Sequence, residues 1–167
     1  MAVDLSSPGG LLAGLGYEGQ IATGVPSTIR SRVNSGASAI PFGRAVAKGT
    51  TTGTCKLLAA TTDVIVGISV MRPLHPLLSG AVAFNQYDDV PLLNEGEIYA
   101  KASETVVDGD GVIALVGGGG TLGSARVGKA DTAGRLTIPN AFWVGDVVSG
   151  QIGKIAINTG ATIYSAT

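Results

Sequence analysis

The chain has 167 residues, 45% of them apolar and only 14% charged, with eleven basic against twelve acidic side chains. That length supports one domain with a real core. The composition excludes an intrinsically disordered chain and lacks the broad basic face that phosphate contacts require, so no nucleic-acid partner is expected. No apolar run approaches the ~20 residues of a membrane-spanning helix, so no membrane partner is expected either. Cys55 is the single cysteine and cannot form an intrachain disulfide. The N-terminus carries Asp4 but no early Lys or Arg and does not read as a signal peptide, which predicts a soluble protein made in a cytoplasm. The 26 Gly follow no period of three, which rules out collagen, and they separate apolar runs where turns and bulges need φ > 0.

In chain order, residues 1–39 read as an extended arm. Pro8-Gly9-Gly10 and Val25-Pro26-Ser27 punctuate it, and Gly10, Gly14 and Gly16 oppose a stable helix around Leu11, Leu12 and Leu15. Thr28 to Val33 alternates weakly, as a short extended segment does. Structureless stretches of this length are uncommon inside compact domains and are usually functional or disordered.

A β-rich body, residues 40–167, follows. Arg44 to Lys48 reads as a strand closed by Gly49, and Cys55 to Ala60 as another. Val64 to Met71 is the strongest, a β-branched run expected in the core. Pro73 and Pro76 make Arg72 to Ser79 a loop or edge excursion. Val90 to Leu93 and Gly96 to Ala102 read as two strands around a turn at Asn94-Glu95. Asp108-Gly109-Asp110-Gly111 is a strong turn signal, Val112 to Val116 a strand and Gly117 to Gly120 a loop. Ala125 to Ala130, Arg135 to Ile138, Ala141 to Val144 and Gln151 to Ile157 complete the series. Short strands with turn signals every ~8–12 residues predict an all-β fold, a single β-sandwich or barrel-like body with an extended N-terminal arm. No amphipathic helix, tandem repeat or second domain is visible.

Few motifs carry chemistry. Gly14-Leu-Gly-Tyr-Glu-Gly19 spells G-x-G-x-x-G, but Ser6 to Gly10 before it is no strand and no βαβ unit follows, so it reads as arm rather than a cofactor site. Gly123-Ser-Ala-Arg-Val-Gly-Lys129 approaches a phosphate loop, but Ala130 stands where Ser or Thr would hold magnesium. Cys55 and His75, the only thiol and imidazole, form a nucleophile–base pair in principle, yet Cys55 sits in a strand-like run as a small hydrophobe does. They also cannot supply a usual zinc site. The acidic set Asp88, Asp89, Glu95, Glu97, Glu104, Asp108 and Asp110 has the composition of a calcium or glycosidase site, but Asp108-Gly-Asp110 reads as a hairpin turn with Asp side chains capping local N–H groups. Trp143 reads as core or subunit interface. No catalytic residue, cofactor or metal is expected.

Several runs in succession resemble the capsid cement proteins of tailed bacteriophages. They are Gly19-Gln-Ile-Ala, Ser27-Thr-Ile-Arg-Ser31, Ile40-Pro-Phe-Gly-Arg-Ala-Val46, Val64-Ile-Val-Gly-Ile-Ser-Val70, Gly96-Glu-Ile-Tyr99, Gly109-Asp110 and Ala141-Phe142. The resemblance spans roughly Gly19 to Ile157; the Gly117 to Gly120 loop and the His75 segment depart from it. It implies a non-enzymatic β-rich body on the outside of an icosahedral head, made in the host cytoplasm. The implied partners are the major capsid protein and further copies of the chain, a homotrimer being favoured over a homodimer. Leu11, Leu12, Leu15, Tyr17, Ile21, Val25 and Ile29 of the arm are the expected contacts, ordering when laid across neighbouring subunits. Thr28 to Val33 is expected to add to a neighbour's sheet. The alternatives are a β-rich tail or fibre component and a small β-sandwich hydrolase or carbohydrate-binding module built on the acidic stretch.

Overall fold

The computed structural model describes residues 16–72, 83–124 and 134–158. Among them lie eleven strands and no helix: β1 (Thr28–Asn34), β2 (Ile40–Pro41), β3 (Ala45–Lys48), β4 (Thr54–Leu57), β5 (Ile65–Ser69), β6 (Ala83–Phe84), β7 (Asp89–Lys101), β8 (Gly111–Leu115), β9 (Thr121–Ser124), β10 (Arg135–Val144) and β11 (Ile152–Ile157). The fold is all-β.

Five strands close into a barrel in the order β1-β4-β3-β5-β7, with β7 pairing back onto β1. Only β1–β4 is parallel, held at Val33↔Thr54 and Asn34↔Cys55. β7 runs 13 residues and belongs to two sheets. Its first half is a barrel stave; its second half pairs with β11 and begins the antiparallel series β7-β11-β10-β8-β9. A parallel bridge, Ala102↔Leu122, brings β9 back beside the end of β7, so the second sheet curls almost to closure.

β3 shows how the two units share a wall. Its alternate residues enter different apolar clusters: Ala45 and Ala47 join the larger one, with Leu93, Ile98, Trp143 and Ile155, and Val46 joins the smaller one with Cys55, Val90, Leu92, Phe42 and Phe84. Phe42 and Phe84 meet edge to face at 5.1 Å between centroids, tying the β2–β6 pair to the smaller cluster. A strand with apolar side chains on both faces is buried on both, and Ala45, Val46 and Ala47 are fully buried.

The structure departs from the sequence expectations in three places. The boundary expected at Ala39 falls inside the barrel, because β1 is one of its staves. The chain there follows β7 antiparallel, from Ile29↔Leu93 to Val33↔Asp89. Asn34 locks the end of β1: fully buried, it donates Nδ2 to the carbonyls of Ser38, Phe84 and Asn85 at 3.1–3.3 Å and accepts the Gly36 N–H on Oδ1. One edge of Thr28 to Val33 is thus paired within its own chain by β7, and β4 joins the other edge only at Val33 and Asn34. Asn94-Glu95 is no turn but the middle of β7. Asn94 donates Nδ2 to the Val66 carbonyl at 2.8 Å, and Gly96 at φ +119° bends the strand without ending it, where a Cβ would lie 2.9 Å from Cβ of Ser27. Finally, Arg135 to Ile138 and Ala141 to Val144 are one strand, with an irregularity between Thr137 and Phe142 and Asn140 at φ +55°. The segments expected at Arg72 to Ser79 and Ala125 to Ala130 lie, from Pro73 and from Ala125 on, outside the described residues.

Candidate interaction surface

The first described residues form a strap along β7. Gly19 N–H donates to Tyr99 O, Tyr99 N–H to Gln20 O, Ala22 N–H to Glu97 O and Met71 N–H to Gly19 O, all at 2.7–2.9 Å. Ile21 bridges Ile98. Gly19 (φ +83°) and Gly43 (φ +67°) cross back to back: a Cβ on Gly19 would meet Cβ of Phe42 at 2.8 Å and the Met71 nitrogen at 2.9 Å. Beneath the crossing, Glu18 Oε1 lies 3.4 Å from Arg44 Nε, a charge contact without hydrogen-bond geometry. Burial pushes the Glu18 carboxyl above the usual carboxylate range, against the opposing pull of Arg44 and Lys101.

Strap and β1 together run along the whole of β7, and they carry most of the exposed large apolar side chains. Tyr17 is 71% exposed, and Val25, Ile29 and Val33 about two-fifths exposed. Tyr87, 76% exposed, continues the row, since its N–H donates to Asn34 O at the end of β1. It holds φ +69°, a conformation rare for a bulky side chain. β1 itself is exposed or half-exposed at every position but Asn34; Ile29, Ser31 and Val33 share its outward face, while Arg30, Arg32 and Asn34 lie opposite Leu92, Val90 and Cys55 on the side of the smaller cluster. Exposed apolar groups gathered in this way have the character of an interaction surface.

Of the arm residues singled out in the sequence, Tyr17, Val25 and Ile29 stand on this row. Ile21 is half-buried against the larger cluster and serves the strap's own attachment. Leu11, Leu12 and Leu15 lie outside the described residues. Sequence reasoning missed Val33, which follows Ile29 at the even spacing of one strand face, and Tyr87, hidden in the Asn85–Asp88 turn.

The acidic stretch is occupied by its own chain. Asp88 accepts the Asn85 N–H (2.7 Å), Asp89 pairs with Arg72 (2.9 Å), Glu97 with Lys154 (2.8 Å) and Glu104 with Arg135 (3.1 Å). Asp110 Oδ2 accepts from the Val107 N–H and the Ser124 hydroxyl. Among the described residues, no three His, Cys, Asp or Glu side chains gather as a metal set. An open cleft of about 460 Å³ lies beside Tyr99, Asp108, Asp146, Ile152 and Lys154. Cys55 is fully buried, its thiol pushed up to about 11 by burial, with Arg32 pulling the other way and Asp89 adding to the rise. His75 lies outside the described residues. Trp143 is core: fully buried, its Nε1–H donates to Gly123 O at 2.9 Å.

No curated protein sequence matches the chain. Among solved structures, a chain from "The capsid of Myoviridae Phage XM1" matches with a TM-score of 0.69 at 15% identity, covering 87% of this chain and 91% of that one. The head fiber gp8.5 N base of bacteriophage phi29 matches with a TM-score of 0.49 at 12% identity, over 80% of this chain and 95% of that one. At 15% identity the first of these likenesses is one of fold. The family model described as structural cement protein (E217 gp24/Pam3 gp6) matches residues 11–158, nearly all of the barrel, the second sheet and the strap, and the chain belongs to that phage structural cement family.

Proposed function

We propose that the protein is a decoration protein that binds the outer surface of a phage capsid and stabilises contacts between major capsid protein subunits, acting as a homo-oligomer, with a trimer favoured. It works by contact area and not by catalysis, without a cofactor. The observation that carries this reading is β1, a barrel stave whose outward face exposes Ile29 and Val33 at the centre of the row Tyr17, Val25, Ile29, Val33 and Tyr87. In this reading Leu11, Leu12 and Leu15 extend the same contact upstream of Tyr17.

Covering apolar surface stabilises by ~25 cal/mol per Å², so each half-exposed side chain of the row contributes on the order of 1 kcal/mol when a shell subunit covers it. One row alone gives modest affinity. Several rows held in one symmetric oligomer raise effective concentration and tighten the grip by ~10²–10⁴. Such a grip resists the parting of neighbouring capsomers.

Removing residues 1–36 would take the whole of β1 out of the barrel, so exposed point changes are the sharper perturbation. Heads lacking the protein are incubated with wild type or with Ile29→Asp/Val33→Asp and sedimented, with circular dichroism confirming the fold. The variant should need at least a tenfold higher concentration to decorate. Equal occupancy at equal concentration would remove the row as the contact.

A further inference from the structure

The barrel wall is closed unevenly where β1 meets β4. β4 joins β1 only at Val33 and Asn34, and the turn leading into β4 ends beside them, its Gly53 carbonyl accepting the Val33 N–H at 3.1 Å. Upstream of Val33, that edge of β1 has no strand beside it among the described residues. Gly53 itself borders open space, since a Cβ built on it would meet no atom within 4 Å.

Alternation along the strand decides which backbone groups are left over. Asn34 turns towards β7: its N–H donates to Asp88 O at 2.9 Å and its carbonyl accepts the Tyr87 N–H at 2.8 Å. Val33 turns the other way, to Gly53. Arg32 and Arg30 therefore bond with β7, and Ser31 and Ile29 point away from it. The β7 partners agree. Opposite Ser31 stands Pro91, which has no N–H and whose carbonyl is taken by the Val70 N–H, just past β5, at 2.8 Å. Ile29 and Ser31 thus present two N–H and two C=O groups along an exposed edge. None of the four finds a partner among the described residues. Such an edge is a template for another strand.

Two occupants compete for it. A second copy offers the same edge, but an antiparallel two-fold that uses both Ile29 and Ser31 is centred on Arg30. It would set Arg30 directly opposite its mate, a destabilising pair of like charges. Arg30 is exposed and has no ion pair among the described residues, so an incoming strand with a carboxylate at that position complements it. The edge also belongs to the strand that carries Ile29 and Val33, the centre of the apolar row.

We infer that an extended segment of the shell subunit adds to this edge as a further strand, bonding Ile29 and Ser31 through its backbone. Its outward side chains pack beside Ile29 and continue the apolar row. Its alternate side chains lie on the Arg30 side of the strand, where a carboxylate meets the guanidinium. The inference rests on the proposed function and deepens it, since backbone pairing then fixes the register of the side-chain contact.

The test titrates heads lacking the protein with wild type, Ser31→Pro and Ser31→Thr. Proline removes the outward N–H and sets its ring against the edge, and it is accepted where a strand's N–H faces away from its sheet. Ser31→Pro should need at least a tenfold higher concentration for half-occupancy, the order of one lost hydrogen bond. Ser31→Thr, which keeps the N–H, should match wild type. Arg30→Glu leaves the backbone intact and should also lose at least tenfold; undiminished binding would overturn the carboxylate partner. Hydrogen exchange on wild type needs no variant to fold. The Ile29 and Ser31 amides should exchange fast in the free protein and at least ~30-fold slower on heads, with those of Arg30 and Arg32 slow in both states. Wild type that decorates heads while Ser31→Pro matches it, or whose Ile29 and Ser31 amides stay fast there, would overturn the added strand and leave the decoration reading standing. Wild type that fails to bind heads would overturn that reading and this inference with it. Protection of the two amides on concentrating the protein without heads would make the occupant a second copy and overturn the shell strand.

Discussion

Gly19→Ala should detach the strap while leaving the barrel folded. An L-residue in the left-handed region costs about 1–2 kcal/mol, and the new Cβ would stand 2.8 Å from Phe42 Cβ and 2.9 Å from the backbone nitrogen of Met71. Backbone does not yield as a side chain tip does, so overpacking adds about 1–3 kcal/mol. Against this total of about 2–5 kcal/mol stand the four strap hydrogen bonds, worth about 0.5–1.5 kcal/mol each. The two sides are of equal size, so residues 16–22 open locally and relieve the clash. Native-state hydrogen exchange reads this directly. Protection at the Met71, Tyr99 and Ala22 amides should fall at least ~30-fold, as a loss of about 2 kcal/mol requires. The Val106 and Val147 amides, bonded to each other's carbonyls, should keep theirs. Unchanged protection at Met71 and Tyr99 would refute the reasoning, and so would a uniform loss across the molecule.

Other outcomes follow from single groups. With its thiol near 11, Cys55 is thiolate to about one part in a thousand at pH 8; iodoacetamide should spare the native protein and label it on unfolding, and stoichiometric native labelling within minutes would contradict the burial. Glu18 has a raised folded-state pKa, so the stability it contributes is complete below the ordinary carboxylate range and is lost as pH rises through the raised value. Urea midpoints measured upward from pH 4.5 should therefore decline more in wild type than in Glu18→Gln; a steeper decline in the variant would reverse the sign. Trp143→Phe strands the buried Gly123 carbonyl and leaves a void, together about 2–4 kcal/mol, which should lower Tm by roughly 5–15 °C; a change under about 2 °C would show the bond to be replaceable.

How far the fold can be read from the sequence depends on what each residue faces. β5, β8 and β11 are dense in Val and Ile and buried, so their apolar runs betray them. β1 resists because only its Asn34 is buried; its inner-face positions Arg30, Arg32 and Asn34 are polar, so no apolar alternation shows, and Thr-Ile-Arg-Ser-Arg-Val looks like linker. β2 and β6 are two residues each and pair across some 40 positions, a contact no local pattern encodes. Asn34 and Ser69 are polar yet fully buried, and their composition suggests surface. The Ser69 hydroxyl donates to Pro41 O at 2.7 Å and accepts the Arg44 N–H at 3.0 Å, a partnership visible only once β3 and β5 are side by side.

The exposed row proposed as the contact is partly legible for the opposite reason. Apolar residues in a Gly- and Ser-rich stretch with no core to enter stand out, which marks Tyr17, Val25 and Ile29. The same reasoning misplaces Ile21, since the strap folds it inward against Ile98. It cannot find Tyr87, which reaches the row only because the Asn85–Asp88 turn abuts Asn34.

The most direct measurement is a cryo-electron microscopy map of decorated heads fine enough to place side chains. The account predicts that Tyr17, Val25, Ile29 and Val33 lie against the major capsid protein and lose the exposure they show in the single chain. A map in which this row faces solvent, with the shell held by some other surface, would contradict it.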